Sequence, residues 1–305
     1  MIEDTSIATS AERSEKLPTN TVHSVVVGTE RSREAVRRYI LLIGDARERL
    51  KEVEPESVNL VITSPPYAWE FRFGNSRQQL GEIWNTKLFF QELTKVWKLC
   101  YRALVPGGYM AIIFADIPDA RKLYGKYMIE PLVNHMINSM TTANFDLVSE
   151  WIWRKYEAGA ALRIRPYLAY SQMMTGKFIP KSAQNWEYVY VWRKPSGIDQ
   201  PVMDVTDEEW MEAVDGVWNI PYGVEDRDPA CFPIELARRL MKIYTKPGAV
   251  VLDPFLGSGT TMRAAFDLNR SCIGIEVEES RIPRIKEKTR WGTQPLSGRV
   301  VWEIR

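Results

Sequence analysis

Two short stretches of this chain carry residue types that chemistry needs. The first is Thr63-Ser64-Pro65-Pro66-Tyr67, directly after the apolar run Val58-Asn59-Leu60-Val61-Ile62. That run predicts a short buried strand, and the paired prolines then end any ladder or helix. Ser64, Pro65, Pro66 and Tyr67 should therefore form a rigid loop at a strand's carboxyl end, where open α/β sheets place their ligands. The loop offers a hydroxyl, backbone carbonyls that no local helix consumes, and one aromatic ring. Oxygens that accept N–H bonds and a ring that stacks suit a flat base bearing an exocyclic amino group. Taken alone, these residues describe a Pro-Pro turn after a core strand equally well.

The second stretch is Asp253-Pro254-Phe255-Leu256-Gly257-Ser258-Gly259-Thr260-Thr261, the layout of a strand end, a glycine-rich turn and a helix start. Glu276 closes the next apolar run, 17 residues after Gly259. An acid there is placed to bind ribose hydroxyls, so a nucleoside-containing cofactor is expected. A phosphate-binding loop would want a lysine after the second glycine, where this chain has Thr260-Thr261. A dinucleotide fingerprint would want a third glycine and no carboxylate near the pyrophosphate. Here Met262 and Arg263 follow, and Asp253 sits just before the turn. A carboxylate repels a pyrophosphate but attracts a sulfonium and an amino-acid ammonium. S-adenosylmethionine fits this turn, and a nicotinamide dinucleotide fits poorly.

The elements that must position these stretches alternate in type. Strands are expected near 39–43, 58–62, 109–115, 147–153, 187–192, 249–252, 272–275 and 300–304. Helices are expected near 46–53, 86–104, 121–143, 232–245, 260–268 and 278–290. The 86–104 helix shows apolar spacing at Leu88, Phe89, Leu93, Val96, Trp97, Cys100 and Leu104, and it ends at Pro106-Gly107-Gly108. The run Ile43-Gly44-Asp45 puts a further carboxylate at a strand end. Alternation of this kind predicts an α/β fold with a mostly parallel, doubly wound sheet.

Composition removes other classes. With 305 residues and 45% hydrophobic content, the chain can bury a sizeable core. Its cysteines, Cys100, Cys231 and Cys272, form no C-x-x-C pair, and its histidines are His23 and His135 alone. A disulfide framework, a zinc site and a histidine-based triad are therefore not expected, and no metal is assigned. No long apolar run or signal peptide is seen, so a soluble cytoplasmic protein without membrane contact is expected. Residues 1–35 are polar and mixed in charge, which predicts a flexible tail before a domain at 36–305.

Together the two stretches resemble the amino-methyltransferases that modify exocyclic amines in nucleic acids. The base-binding motif precedes the cofactor motif, which is similar to the circularly permuted β-class of cytosine-N4 type. The likeness covers about residues 39–290 and includes Ile43-Gly44-Asp45, Leu104-Val105-Pro106-Gly107-Gly108, Phe232-Pro233-x-Glu235-Leu236, and Arg270 with Ile273-Gly274-Ile275-Glu276. The resemblance implies a seven-stranded, Rossmann-like class I methyltransferase sheet. It implies that Asp253, Phe255, Gly257 and Gly259 cradle the methionine part of S-adenosylmethionine, with Pro254, Ser258 and Thr260 in the same turn. Glu276 would hold the ribose, Asp45 would lie near the adenine, and Phe232 and Pro233 would pack over the cofactor. Asp45 also fits a plain helix cap, and Phe232 an ordinary core residue. Ser64, Pro65, Pro66 and Tyr67 would form the catalytic loop. In the resembled family, the place of Ser64 is commonly Ser in cytosine enzymes and Asp in adenine enzymes.

Charge is unevenly spread despite a net +1. Residues 151–194 hold eight basic residues against Glu157 and Glu187, a net +6, interleaved with aromatics. Such a mixture suits phosphate contact and base stacking. The aromatics of its flanking strands, Trp151, Trp153, Tyr188, Tyr190 and Trp192, are expected in the core. The insert at 156–185, with Arg163, Arg165, Lys177 and Lys181, is the expected substrate-contacting segment. The connector at 199–228 has ten acids against Arg227 alone, a net −9, and should repel phosphate. The leading expectation is cytosine-N4 methylation of DNA. A structured RNA substrate, adenine-N6 methylation of DNA, and a silent nucleic-acid-binding module are the alternatives.

Overall fold

The computed structural model describes residues 36–67, 79–117, 124–125, 128–155, 184–196, 203–221, 231–294 and 299–305. The expected tail at 1–35, nearly all of the basic insert and the ends of the acidic connector lie outside these residues. Apolar runs make the strands β1 (Arg37–Ile43), β2 (Val58–Thr63), β3 (Leu104–Phe114), β4 (Asp146–Arg154), β5 (Trp186–Arg193), β6 (Val217–Asn219), β7 (Val250–Asp253), β8 (Ser271–Glu276) and β9 (Val300–Ile304). Their order in the sheet is β6-β4-β5-β3-β2-β7-β8-β1-β9. Pairing is parallel except around β5, which runs antiparallel to β3 and β4. The sheet thus has nine strands among the described residues rather than seven. Strands β6 and β9 extend its two edges, and β6 is only three residues long, too short to announce itself by alternation.

The helices are α1 (Ala46–Arg49), α2 (Thr86–Ala103), α3 (Leu132–Thr142), α4 (Asp207–Ala213), α5 (Ile234–Tyr244), α6 (Thr260–Asp267) and α7 (Ile282–Thr289). One apolar layer joins the sheet to α2 and α3 through Phe89, Leu93, Trp97 and Met136. The opposite layer joins it to α5, α6 and α7 through Leu236, Leu240, Met262 and Ile285. Both faces are therefore covered, the arrangement that parallel strands require. Helix α2 is capped by Asn85, whose side chain accepts the Leu88 N–H at 2.9 Å. Leu88 itself is exposed, so the buried stripe runs through Phe89, Leu93, Val96, Trp97, Cys100 and Ala103.

Several boundaries differ from expectation for identifiable reasons. The expected helix at 121–143 is interrupted where Ile117 and Glu130 pair as an antiparallel bridge, and α3 starts at Leu132 with Pro131 at its cap; residues 121–123 and 126–127 lie outside the described residues. Helix α5 starts after Pro233, which sits in an extended conformation (φ −69°, ψ 149°). Strand β3 begins at Leu104, with Pro106-Gly107-Gly108 forming an irregular entry that shifts its register against β2. Helix α4 lies in the acidic connector, started by a capping box between Thr206 and Glu209.

That connector is not simply repulsive surface. Asp204 accepts from the buried Arg270 guanidinium at 2.8 Å, Glu209 pairs with Lys242, and Glu212 pairs with Arg239 at 3.3 Å. Part of its negative charge is thus neutralised against α5 and the turn before β8. Trp153, Tyr190 and Trp192 are buried as expected for core-facing strand aromatics, whereas Trp151 and Tyr188 are only half-buried, packed against the core from its margin.

From β2 the chain moves to β3 on one side, and from β7 to β8 on the other. The order reverses between β2 and β7, so the crevice for a ligand opens at their carboxyl ends.

Candidate active site

The two motif loops meet at that crevice. Leu60 and Val61 pair with Val251 and Leu252, which sets the ends of β2 and β7 side by side. The Thr63 hydroxyl, fully buried, donates to Asp253 Oδ1 at 2.9 Å. Asp253 Oδ1 also accepts the Phe255 N–H at 3.0 Å, and Oδ2 accepts the Thr261 hydroxyl at 2.6 Å. Burial pushes the Asp253 carboxyl up to about 6, and these three bonds pull it back only in part. The carboxylate fixes both ends of the glycine turn while remaining a desolvated negative charge beneath it.

Two glycines are required by geometry. Gly259 caps α6 in the left-handed region (φ 94°), and a Cβ there would lie 3.0 Å from Thr289 Cγ2. Gly274 in β8 receives Leu256, whose Cδ2 would be 2.5 Å from an added Cβ. The turn is held from below by the Leu256 N–H donating to the Ile275 carbonyl at 2.8 Å.

Glu276 ends β8 and lies 7% exposed. Its Oε2 accepts the Gly257 N–H and its Oε1 the Glu278 N–H, each at 2.9 Å. Burial raises this carboxyl to about 7, offset in part by those N–H groups and by Arg281. Glu278 in turn accepts from Gln79 Nε2 at 2.6 Å, with both side chains buried. The Gly44 N–H donates to the Glu276 carbonyl at 2.9 Å, bringing the end of β1 to the same place. Asp45 is a helix cap: it accepts the Arg47 N–H at 2.8 Å and pairs with the Arg47 guanidinium, which also reaches Glu92. Its carboxylate is committed to that cap and ion pair, and any cofactor contact would be additional.

Phe232 is buried in the core layer beside α5, and Pro233 caps that helix. The Cys231 thiol lies 2.9 Å from the Ser258 hydroxyl, which ties the Phe232-Pro233 segment to the glycine turn. Pro254 is buried and Phe255 half-buried, its ring edge-on to Trp97 at 6.3 Å.

In the loop after β2, Pro65 is buried while Ser64, Pro66 and Tyr67 are half-buried. The Tyr67 ring stacks on Phe114 with centroids 4.8 Å apart and planes 18° from parallel. Phe114 is itself braced edge-on by Phe90 at 6.5 Å. Burial, with Glu187 and Asp116 nearby, holds the Tyr67 hydroxyl well above its ordinary range, so it stays a neutral phenol. The loop and ring form a rigid wall suited to a flat apolar face.

Arg163, Arg165, Lys177 and Lys181 lie outside the described residues. The ends of their segment are nonetheless fixed: the Lys155 N–H donates to the Asn185 carbonyl at 2.9 Å, and Lys155 pairs with Glu187. Arg154 pairs with Trp186 across β4 and β5, and Phe114 with Tyr188 across β3 and β5. The chain therefore leaves β4 and enters β5 at the same end of the sheet as the carboxyl end of β2, where Ser64–Tyr67 follow. Among the described residues, no cluster of three or more His, Cys, Asp or Glu side chains could hold a metal, and no helix is long and apolar enough to cross a membrane.

Sequence reasoning placed Thr63 and Thr261 within the two motif stretches but gave them no role, and it did not single out Glu278, Gln79 or Lys288. Nothing local marks Lys288, which reaches the turn from α7.

Comparison with known proteins places the chain. The family model described as DNA methylase, covering N6 and N4 enzymes, matches residues 58–287. The type II methyltransferase M.MjaI of Methanocaldococcus jannaschii is 30% identical over 285 residues, covering 81% of this chain and 90% of its own. A Thermus thermophilus protein described as a DNA modification methylase, solved with S-adenosyl-L-methionine, superposes with a TM-score of 0.64 at 31% identity, covering 86% of this chain and 99% of its own. The cytosine-N4-specific PvuII DNA methyltransferase shares the fold, with a TM-score of 0.63 at 19% identity over 87% of this chain and 90% of its own. The chain belongs to the N6/N4 family of DNA methylases, whose methyl donor is S-adenosylmethionine.

Proposed function

We propose that this protein methylates the exocyclic N4 amine of cytosine in DNA and belongs to the circularly permuted β-class. The carrying observation is the direct bond from Thr63 to Asp253. It sets the loop that begins at Ser64 against the glycine turn, so a base and a cofactor would meet between them. The residues present fit S-adenosylmethionine. Gly257 leaves room at the turn's backbone, Asp253 supplies desolvated negative charge, and Glu276 stands at the strand end where a ribose would lie. Asp253, Phe255, Gly257, Ser258, Gly259 and Thr260 would hold its amino-acid end, with Phe232, Pro233, Pro254 and Asp45 around it. When bound, the cofactor supplies a methyl group on a sulfonium.

The protein's own task is then positioning. The amine of cytosine is a poor nucleophile because its lone pair is delocalised into the ring. The Ser64 hydroxyl and the Pro65 carbonyl would accept hydrogen bonds from its two N–H groups, which favours a pyramidal nitrogen and directs its lone pair at the crevice. Holding the reacting atoms at near-attack distance supplies much of the barrier reduction. In duplex DNA the base must first leave the stack, and the Tyr67 ring, backed by Phe114, would receive its face. The insert at 156–185, with Arg163, Arg165, Lys177 and Lys181, would follow the phosphate backbone. Ser64 supports cytosine over adenine, since the resemblance associates that residue type with cytosine enzymes. Both intact motif loops speak against a silent binding module.

Incubating DNA and RNA with methyl-labelled cofactor, followed by nucleoside mass spectrometry, tests the reading. Label in N4-methylcytosine from DNA is the expected result. Label in N6-methyladenine would move the assignment to the adenine branch, and label confined to RNA would overturn the polymer.

A further inference from the structure

Helix α7 carries one residue into the cofactor turn. Lys288 Nζ lies 2.8 Å from Ser258 Oγ and 2.6 Å from Thr260 Oγ1, so one ammonium spans the hydroxyls on either side of Gly259. Ser258 is fully buried and Thr260 nearly so. An ammonium has three donors and no acceptor. It therefore takes a lone pair from each hydroxyl oxygen, and each hydroxyl proton must point elsewhere. The turn thus carries both signs of charge: Asp253 holds a buried negative charge against Phe255 and Thr261, while Lys288 sets a positive charge behind the Ser258 and Thr260 hydroxyls, with Cys231 Sγ also 2.9 Å from Ser258 Oγ. The amino-acid end of S-adenosylmethionine has the matching pair of charges, an ammonium and a carboxylate.

We infer that Lys288 is a positioning residue for the cofactor's carboxylate, acting through the Ser258 and Thr260 hydroxyls that it orients as donors. This rests on the reading of Asp253–Thr261 as the cofactor turn. Charge-assisted hydrogen bonds are stronger than neutral ones, so the ammonium behind the hydroxyls should be felt in affinity. A lysine that only braced α7 against α6 would affect every ligand of the turn alike.

The two roles separate with a pair of ligands. Calorimetry compares S-adenosylmethionine with its decarboxylated analogue, which keeps the sulfonium and the ammonium. Lys288→Met should weaken S-adenosylmethionine about tenfold, the size of one charge-assisted contact, and leave the analogue nearly unchanged. Lys288→Arg should recover most of the loss, with the unliganded melting temperature close to that of the wild type. Equal losses for both ligands, or no loss for either, overturn the inference. Should Lys288→Met not fold, Ser258→Ala carries the same test, weakening S-adenosylmethionine and sparing the analogue. Asp253→Asn separates this inference from the turn assignment beneath it, since it should weaken both ligands. If it weakens neither, the assignment of the turn falls and the role of Lys288 with it.

Discussion

The Thr63 hydroxyl and Asp253 Oδ1 are 2.9 Å apart although 190 residues separate them in sequence. This contact joins the loop that begins at Ser64 to the glycine turn after Asp253 through one buried hydrogen bond. Thr63→Val keeps the shape and removes the donor. A buried carboxylate that loses one donor costs about 1–3 kcal/mol, so the variant should be less stable by that amount. Cofactor affinity and the single-turnover methylation rate should both fall, because the bond holds both loops. An unchanged rate and affinity in calorimetry and rapid quench would show that the loops are positioned independently.

The buried carboxylates make a pH prediction. Asp253 titrates at about 6 in the fold, against about 4 for an ordinary aspartate. The folded state therefore holds this proton more tightly than the unfolded chain. Its stabilising effect is complete below about pH 4 and is lost as pH rises through about 6, a change of roughly 3 kcal/mol at most. Glu276, raised to about 7, adds a loss of the same sign up to that pH. Unliganded protein should thus lose stability from these two groups as pH rises toward 7, and Asp253→Asn should remove part of that slope. Affinity for the cationic cofactor should move the other way, rising between about pH 5 and pH 8 as the carboxylates ionise. Urea midpoints and calorimetric affinities across that range check both signs. A flat affinity profile would mean that Asp253 does not face the cofactor's positive end.

The base-binding loop should act on rate more than on cofactor binding. Ser64→Ala and Tyr67→Ala are each expected to cut turnover on the order of 100-fold. Cofactor affinity should stay nearly the same, since Asp253 and the glycine turn are untouched. Steady-state kinetics alongside calorimetry would expose the opposite pattern, weak cofactor binding with normal turnover, which would place the loop on the wrong side of the crevice.

Both motif loops were legible because prolines and glycines punctuate them, and the strands feeding them are continuous apolar runs. Their partners were not. Thr63 with Asp253, and Glu276 with Gly257, are chosen by the order of strands in the sheet, which no local pattern records. Lys288 sits on an exposed-looking helix and reaches the turn only because α7 packs on α6. Asp45 had two readings, and the cap to Arg47 is the one the geometry displays. Helix α4 was hidden by its own charge: Asp207, Glu208 and Glu209 look like solvated surface, although Thr206 three residues before Glu209 is a capping-box pattern.

The basic insert makes a prediction that salt can read. Neutralising Arg163, Arg165, Lys177 and Lys181 should weaken DNA binding and flatten its dependence on salt, by about 0.9 in log–log slope per lost phosphate contact. Neutralising Asp207 and Glu208 on α4 should leave binding the same or tighten it. Isotherms between about 50 mM and 200 mM salt measure the slope. A four-residue variant with the wild-type slope would show that the segment faces away from DNA.

Strand β1 has a consequence for how the protein is made. Its neighbours are β8 and β9, with Tyr39 beside Cys272 and Arg37 beside Val300. The first described strand to leave the ribosome therefore has both of its pairing edges supplied by the last two. During synthesis it must wait, apolar and unpaired, until β8 and β9 have emerged. Folding that depends on such distant pairings is slow and exposes sticky intermediates. The nascent protein should be a chaperone client, and a chain stalled before residue 300 would leave one flank of β1 open to other molecules.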